Sequence, residues 1–381
     1  MAYAKAVVSG EIVAGPHVRN ACKRHIADLR RKDIHPGFMQ DESEHAVALS
    51  HLYPELQIEL ISATGKFIDD RLDQMFMLGG ILPRNTLNLH WAHAIHTRAH
   101  ELGCDVILSG ASGNGTFSYD GMAALPHWLA TRQWRSLIRE TAAIAGKRRF
   151  PQAMFHHAIK PLMPKSLYRF WQRRRGQTDL EPLGSWSPLN PDWAREMRVF
   201  ERAADMHNDW LHRPSRSPLE WKLAFFTGAS HETGDIEQAL SLLHGVALRD
   251  PTAYRPLFEF CMGIPDDQFL RGGQHRWLAR RMLEGMIPAS VLNEKRTGLQ
   301  SADWPLRMER QRADLLAELD QLALDPAMVR RFNLSAMREP LARGPLAMRA
   351  NSTDAARLGQ GLVRMLATTR FIRYHQGTNR P

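Results

Sequence analysis

Residues 105–121 read DVILSGASGNGTFSYDG. After Asp105 an apolar run, Val106, Ile107 and Leu108, breaks into a loop of Gly, Ser, Asn and Thr. The run has the length and bounding residues of a buried strand. A parallel strand ending in a small-residue turn sets backbone N–H groups at the carboxyl edge of its sheet, where ligands of open α/β folds bind. Ser109, Ser112 and Thr116 add hydroxyl donors for an anion. The stretch lacks the lysine of G-x-x-x-x-G-K-[ST], and it is not a G-x-G-x-x-G fingerprint. From the residues alone, an anion site and a plain turn after a buried strand stand level.

Working toward the N-terminus, DESEHAVALSHLY (41–53) predicts a helix. Asp41 can cap it, Glu42 and Glu44 suit the positive end of its dipole, and Ala46, Leu49 and Leu52 mark an apolar face. LQIELIS (56–62) alternates as a strand does. FIDDRLDQMFML (67–78) reads as a helix, and NTLNLHWAHAIHTRAHELG (85–103) as another, ending at Gly103, a favoured C-terminal cap. Cys104–Leu108 is then a strand. Helix, strand, helix, helix, strand is the rhythm of an α/β layer with parallel strands. Beyond Gly121 the strand signal disappears. Residues 122–381 read as helices broken by loops such as PLGSWSPLNPDW (182–193). The expected architecture is a small α/β piece, to about residue 121, carrying a larger helical region. Residues 1–40 are weakly patterned.

Of the 381 residues, 44% are hydrophobic, enough for a sizeable core, and 24% are charged, which sets the chain apart from disordered sequences. The net charge of +10 favours anionic partners. The excess is scattered rather than drawn into a stripe, so nucleic acid is not the expected partner. Cys22, Cys104 and Cys261 are far apart, with no zinc spacing and no disulfide framework. The first twenty residues carry no apolar core of a signal peptide, and no apolar run approaches the ~18–20 residues of a membrane span. A cytoplasmic protein is expected.

Three other clusters carry chemistry-bearing residues. His90, His93, His96 and His100 recur at helical spacing and could share one face, as metal ligands do. No Cys or carboxylate completes a site, so a polar helix face is expected and no metal is assigned. SLYRFWQRRRG (166–176) mixes Tyr168 and Trp171 with Arg173, Arg174 and Arg175. It reads as a solvated helix end, with grip on an acidic peptide as the other reading. In EKRTGLQSADW (294–304), Lys295 and Arg296 precede a turn, where cations can neutralise a phosphate or a charged transition state.

Together these stretches resemble the synthetase domain of the asparagine synthetase family, which includes β-lactam synthetases and lasso-peptide cyclases. VILSGASGNGTF is similar to the family's V-L-S-G-E-G-x-D-E-x-F, and HGVALRDPTAYRPLFEFCMGIP to G-L-E-x-R-x-P-F-L-D…P. GGQHRWLARRMLEGMIPASVL is similar to G-x-x-K-x-x-L-R…P, and KRTGLQSADW sits where the family has K-x-G-F. The motifs occur in the family's order through residues 41–304, leaving 1–40 poorly assigned and 305–381 as a helical extension. The resemblance implies an adenine-nucleotide alpha-hydrolase-like layer, with ATP and Mg²⁺ as cofactors. It implies an amide ligase: a carboxylate, of aspartate or of a peptide, attacks the α-phosphate of ATP, and an amine then takes the acyl group. Ser109, Gly110, Ser112, Gly113 and Asn114 would contact pyrophosphate, Arg249 would support that site, and Lys295 or Arg296 would stabilise the transition state.

The departures are specific. The family's S-G-G-x-D-S loop belongs before residue 41 and is not there; VVSGEIVAG (7–15) is a poor substitute, which points to a truncated or frame-shifted start. Ala2 follows Met1 where the family's glutaminase domain has its leading cysteine, so release of ammonia from glutamine is not expected. Ala111 stands in place of Glu, Asn114 in place of Asp, Ala247 in place of the Glu of G-L-E-x-R, and Arg296 in place of the catalytic Lys. Asn is a far poorer Mg²⁺ ligand than a carboxylate. Two readings therefore stand side by side: an ATP-dependent amide ligase, inactive if the missing loop is indispensable, and a non-catalytic peptide-binding protein built on the same fold.

Overall fold

A computed structural model describes residues 11–14, 19–23, 38–39, 43–61, 65–83, 85–174, 186–205, 214–228, 230–298, 301, 303–344 and 353–377. The expected cap Asp41, the dipole residue Glu42 and the cation Arg175 lie outside them, as does the side chain of Arg173. The fold is α/β and mostly helical, with one five-stranded sheet. Its strands are β1 (Glu11–Ala14), β2 (Arg19–Lys23), β4 (Gln57–Ile61), β5 (Val106–Leu108) and β6 (Ala247–Arg249), in the order β4-β2-β1-β5-β6. A separate two-residue strand, β3 (Phe38–Met39), pairs in parallel with Thr297–Gly298.

The parallel layer expected from the helix–strand rhythm is present at both flanks, where β2 pairs with β4 and β5 with β6. Its centre differs: β1 runs antiparallel to both β2 and β5. Two strands of the five-stranded sheet, and β3 beside it, thus come from the weakly patterned first forty residues. RNACK in β2 has none of the β-branched and aromatic enrichment that marks a strand, so pairing rather than propensity places it. The strand signal also does not end at Gly121. β6 lies at residues 247–249, three residues long, too short for a period to show.

Helix Ser43–Leu52 buries Ala46, while Leu52 at its end is exposed. Helix Leu72–Gly79 buries Leu72, Met75 and Phe76, the i, i+3, i+4 stripe of an amphipathic helix. Gly80, at φ 66°, ends it by donating its N–H to Phe76 O. Helix Leu89–Glu101 ends as its sequence predicts. Gly103, at φ 69°, donates to His100 O at 2.9 Å, and Cys104 donates to Ala99 O at 3.0 Å. That pair of bonds is a Schellman cap, and it turns the chain straight into β5.

Ile95, Ala99, Cys104, Ile107 and Val246 form the small core between this helix and the β5–β6 edge. A larger core gathers helix 72–79 with the C-terminal helices, through Met308, Leu319, Met337 and Leu366 among others. The β5–β6 edge packs on the small core through Ile107 and Leu248, and the loop after β5 leaves from that base. Among the described residues no helix is long and apolar enough to cross a membrane.

Candidate functional site

The loop after β5 is built by its neighbour strand. Leu108 pairs with Arg249, and the Ser109 N–H extends the ladder to Arg249 O at 2.8 Å. The chain then coils through a 3₁₀ turn, Ala111–Gly115. Asp250, the residue after β6, reaches across and accepts the Ser112 N–H at 2.7 Å. Its other oxygen accepts the Thr252 N–H at 2.8 Å. Gly113 N–H turns inward to Gly110 O at 3.1 Å. The structure thus brings Ser109, Gly110, Ser112, Gly113, Asn114 and Arg249 to one strand-end edge. It also shows that the amides of Ser109, Ser112 and Gly113 are spent inside the protein. What the edge leaves open is the hydroxyl of Ser109, a buried oxygen with no hydrogen-bond partner. An unpaired buried hydroxyl costs about 1–3 kcal/mol, so it marks a place for an added polar group.

The floor of the loop is set by residues that sequence reasoning passed over. Arg276 is only 7% exposed and stands at φ 58° at the start of helix Trp277–Leu283. Its Nη1 donates to Asn114 Oδ1 at 2.5 Å, to Ser118 O at 2.7 Å and to Ser118 Oγ at 2.8 Å. Burial pushes its pKa down, with Asp120 pulling the other way. A left-handed backbone at a non-glycine residue is unfavourable, and here it aims a cation under the loop. Gly115 closes the other side. A Cβ there would meet Phe225 and Phe226, both at 2.6 Å, so only glycine admits the close approach of helix Pro218–Gly228.

Lys295 and Arg296 stand in another setting. Lys295 is exposed. Arg296 grips Glu294, with Nε to Oε1 at 2.9 Å, and Glu44 of helix 43–52, with Nη2 to Oε1 at 2.9 Å. The Arg296 fork, with further bonds from the Arg296 and Lys295 amides, holds the Glu294 carboxyl down at about 2. His45, buried, brings Nε2 to 3.3 Å from Glu294. Glu44, His45 and Glu294 could converge on an ion, their ligand atoms lying within 4.8 Å of one another. The guanidinium already occupies both carboxylates, so the chemistry there is ion pairing.

The histidine helix corrects its expected character. His90, His93 and His96 are buried rather than displayed on a polar face. His93 Nδ1 lies 2.8 Å from Nε2 of His244, on helix Ser230–His244, and its Nε2 lies 3.6 Å from Asp69. Desolvation, with Arg71 and the neighbouring imidazoles, drives His93 down to about 3 and His244 to about 4, so this pair is neutral. Tyr168 is likewise buried, and Lys160 stands 5.5 Å over its ring and 5.1 Å over Trp171. Tyr168 is thus turned inward, while Trp171 beside it is half-buried.

The geometry defines an α/β protein with an anion-site candidate at the carboxyl edge of two parallel strands. The family model described as asparagine synthase matches residues 37–364, and the chain belongs to that family. The match reaches well past residue 304, into the segment expected to be an extension. The chain is 23% identical over 184 residues to Asparagine synthetase [glutamine-hydrolyzing] 1 of Bacillus subtilis (strain 168). The matched stretch covers 43% of this chain and 28% of that protein. No solved structure matches. In the family pattern quoted above, Arg276 falls on the lysine of G-x-x-K and Gly115 on the glutamate after the aspartate. Arg276 was thus within reach of the sequence, as the one cation in GGQH-R-W at a patterned position. The Asp250 clasp and the Phe225–Phe226 wall had no such signal.

Proposed function

We propose that this chain is a carboxylate-activating amide ligase that takes the phosphates of ATP at the β5–β6 edge. The orphaned Ser109 hydroxyl, fixed at the strand end by the Arg249 pairing, is the observation that supports this reading. A carboxylate of aspartate or of a peptide would attack the α-phosphorus, and pyrophosphate would leave as the bond to the β-phosphate breaks. The amine would then attack the acyl carbon, AMP would depart, and the amine proton would pass to solvent or a base. Ser109 would donate to a phosphate oxygen once a local shift uncovers its buried hydroxyl, while the bonds to Arg249 and Asp250 keep the rest of the loop in place for the leaving group. Arg249 lies exposed beside it, with its Nη1 donating to Leu248 O at 2.9 Å, free to swing to an anion at little cost.

The loop residues do not fit Mg²⁺. Asn114 offers a neutral oxygen already bound by Arg276, and both Asp250 oxygens are engaged. The loop thus has no free carboxylate to offer a divalent cation. Arg296, tied to Glu294 and Glu44, would have to leave its partners to reach a transition state, which favours a second reading: nucleotide binding without turnover.

ATP–pyrophosphate exchange separates the two. With the full chain, ATP and a set of candidate carboxylates that includes aspartate, the ligase incorporates labelled pyrophosphate into ATP, and Ser109→Ala slows it at least tenfold. A chain that binds ATP yet shows no exchange is the non-catalytic protein. A chain that neither binds nor exchanges refutes both readings.

A further inference from the structure

A cavity of about 430 Å³ opens among elements that take no part in the loop after β5. Trp186, Trp193, Phe332, Met365 and Ile372 supply its apolar wall. The walls are fixed by backbone pairing. Leu189 bridges Phe332 in antiparallel fashion, the Asn190 N–H donates to Arg331 O at 2.9 Å, and the Asn333 N–H donates to Pro188 O at 2.7 Å. Behind Trp186 the chain passes so near the helical turn at Gly361 that a Cβ there would lie 2.2 Å from Trp186 O. The cavity is thus held open by main-chain contacts, and its volume is in the range of small-molecule sites.

Two arginines give it a sign. Nη1 of Arg331 is buried and has no hydrogen-bond partner. A guanidinium N–H has no acceptor role to fall back on, so burial without a partner leaves its full desolvation cost uncompensated. Arg364 lies with its guanidinium carbon 5.2 Å over the Trp186 ring, adding positive charge beside a flat aromatic surface. No Asp or Glu is among the described residues that line the cavity.

We propose that this cavity is a binding site for a small organic carboxylate with an aromatic body. The ring would pack on Trp186, Trp193 and Phe332, and the carboxylate would accept from Arg331. A carboxylate suits the position because charge-assisted bonds to arginine are about twice as strong as neutral ones. The site shares no residue with the nucleotide edge, so it stands whether or not that edge is catalytic.

The test is isothermal titration of the full chain with indole-3-acetate and with its neutral isostere, indole-3-acetamide. The acid binds saturably at one site, at least tenfold tighter than the amide. Arg331→Gln brings the two within threefold, Thr368→Trp fills the cavity and removes both, and ATP binding is unchanged in either variant. Equal affinity for acid and amide, acid binding unaltered by Arg331→Gln, or no saturable binding by the wild-type chain would each overturn the proposal. Should the variants fail to fold, the comparison of acid with amide on the wild type still decides it.

Discussion

Arg276 and Arg296 both fall on lysine positions of the family pattern, and the fold treats them in opposite ways. Arg276 is buried beneath the loop and is bound by neutral oxygens of Asn114 and Ser118. Arg296 has 42% of its side chain exposed and is bound by two carboxylates. Burial lowers the pKa of the first; Glu294 and Glu44 raise that of the second. The difference teaches where each cation's effect lies. Arg276 organises the loop from inside, and removing it leaves buried acceptors empty. Arg296 is a half-exposed strap: its pair with exposed Glu44 contributes little in water, and its weight falls on Glu294, which is only 9% exposed.

The comparison can be broken by substitution. Arg276→Met should lower stability by about 3 kcal/mol, through the unpaired Asn114 and Ser118 oxygens, read as a shift of the urea midpoint. A loss comparable to a surface change would show that the buried contacts carry no weight. Gly115→Ala tests the other half of the floor. Its Cβ must displace Phe225 and Phe226, with an expected cost of about 2 kcal/mol by the same measurement. Acid sharpens the contrast between interior and strap. His93 and His244 are neutral in the fold but take up protons near their ordinary 6.5 when unfolded. The unfolded chain therefore binds more protons below pH 6.5, and stability falls with pH from 6.5 toward about 4. The slope is up to about 1.4 kcal/mol per pH unit for each imidazole. The Glu294 carboxyl, held at about 2 against 4.5 when unfolded, keeps its contribution while pH stays above 4.5 and loses it as pH falls from there toward about 2. Urea melts from pH 7 to 5 should thus show a slope that His93→Gln reduces and Glu294→Gln leaves alone. Smallest is the Arg296–Glu44 coupling, about 0.5 kcal/mol or less in a double-mutant cycle, because both side chains are exposed.

The part of this molecule legible from sequence is the part governed by local rules. Gly103 as a cap, the strand before Ser109 and the helix over Leu72, Met75 and Phe76 follow from spacing and turn chemistry within a few residues. The motifs in order pointed to the asparagine synthase family, which the family match bears out. What stayed hidden depends on contacts far apart in the chain. The reversed β1 and the polar β2 are set by pairing across the sheet. The burial of His93 depends on His244, 151 residues away. Asp250 holds Ser112 across 138 residues, and Arg276 reaches Asn114 across 162, so no periodicity reports either contact.

The central claim, that the β5–β6 edge receives the phosphates of ATP, is most directly tested by calorimetric titration of the full chain with ATP and with adenosine. ATP binds at least tenfold tighter than adenosine, and Ser109→Ala erases most of that difference. Equal binding of the two, or an ATP preference untouched by Ser109→Ala, would contradict it.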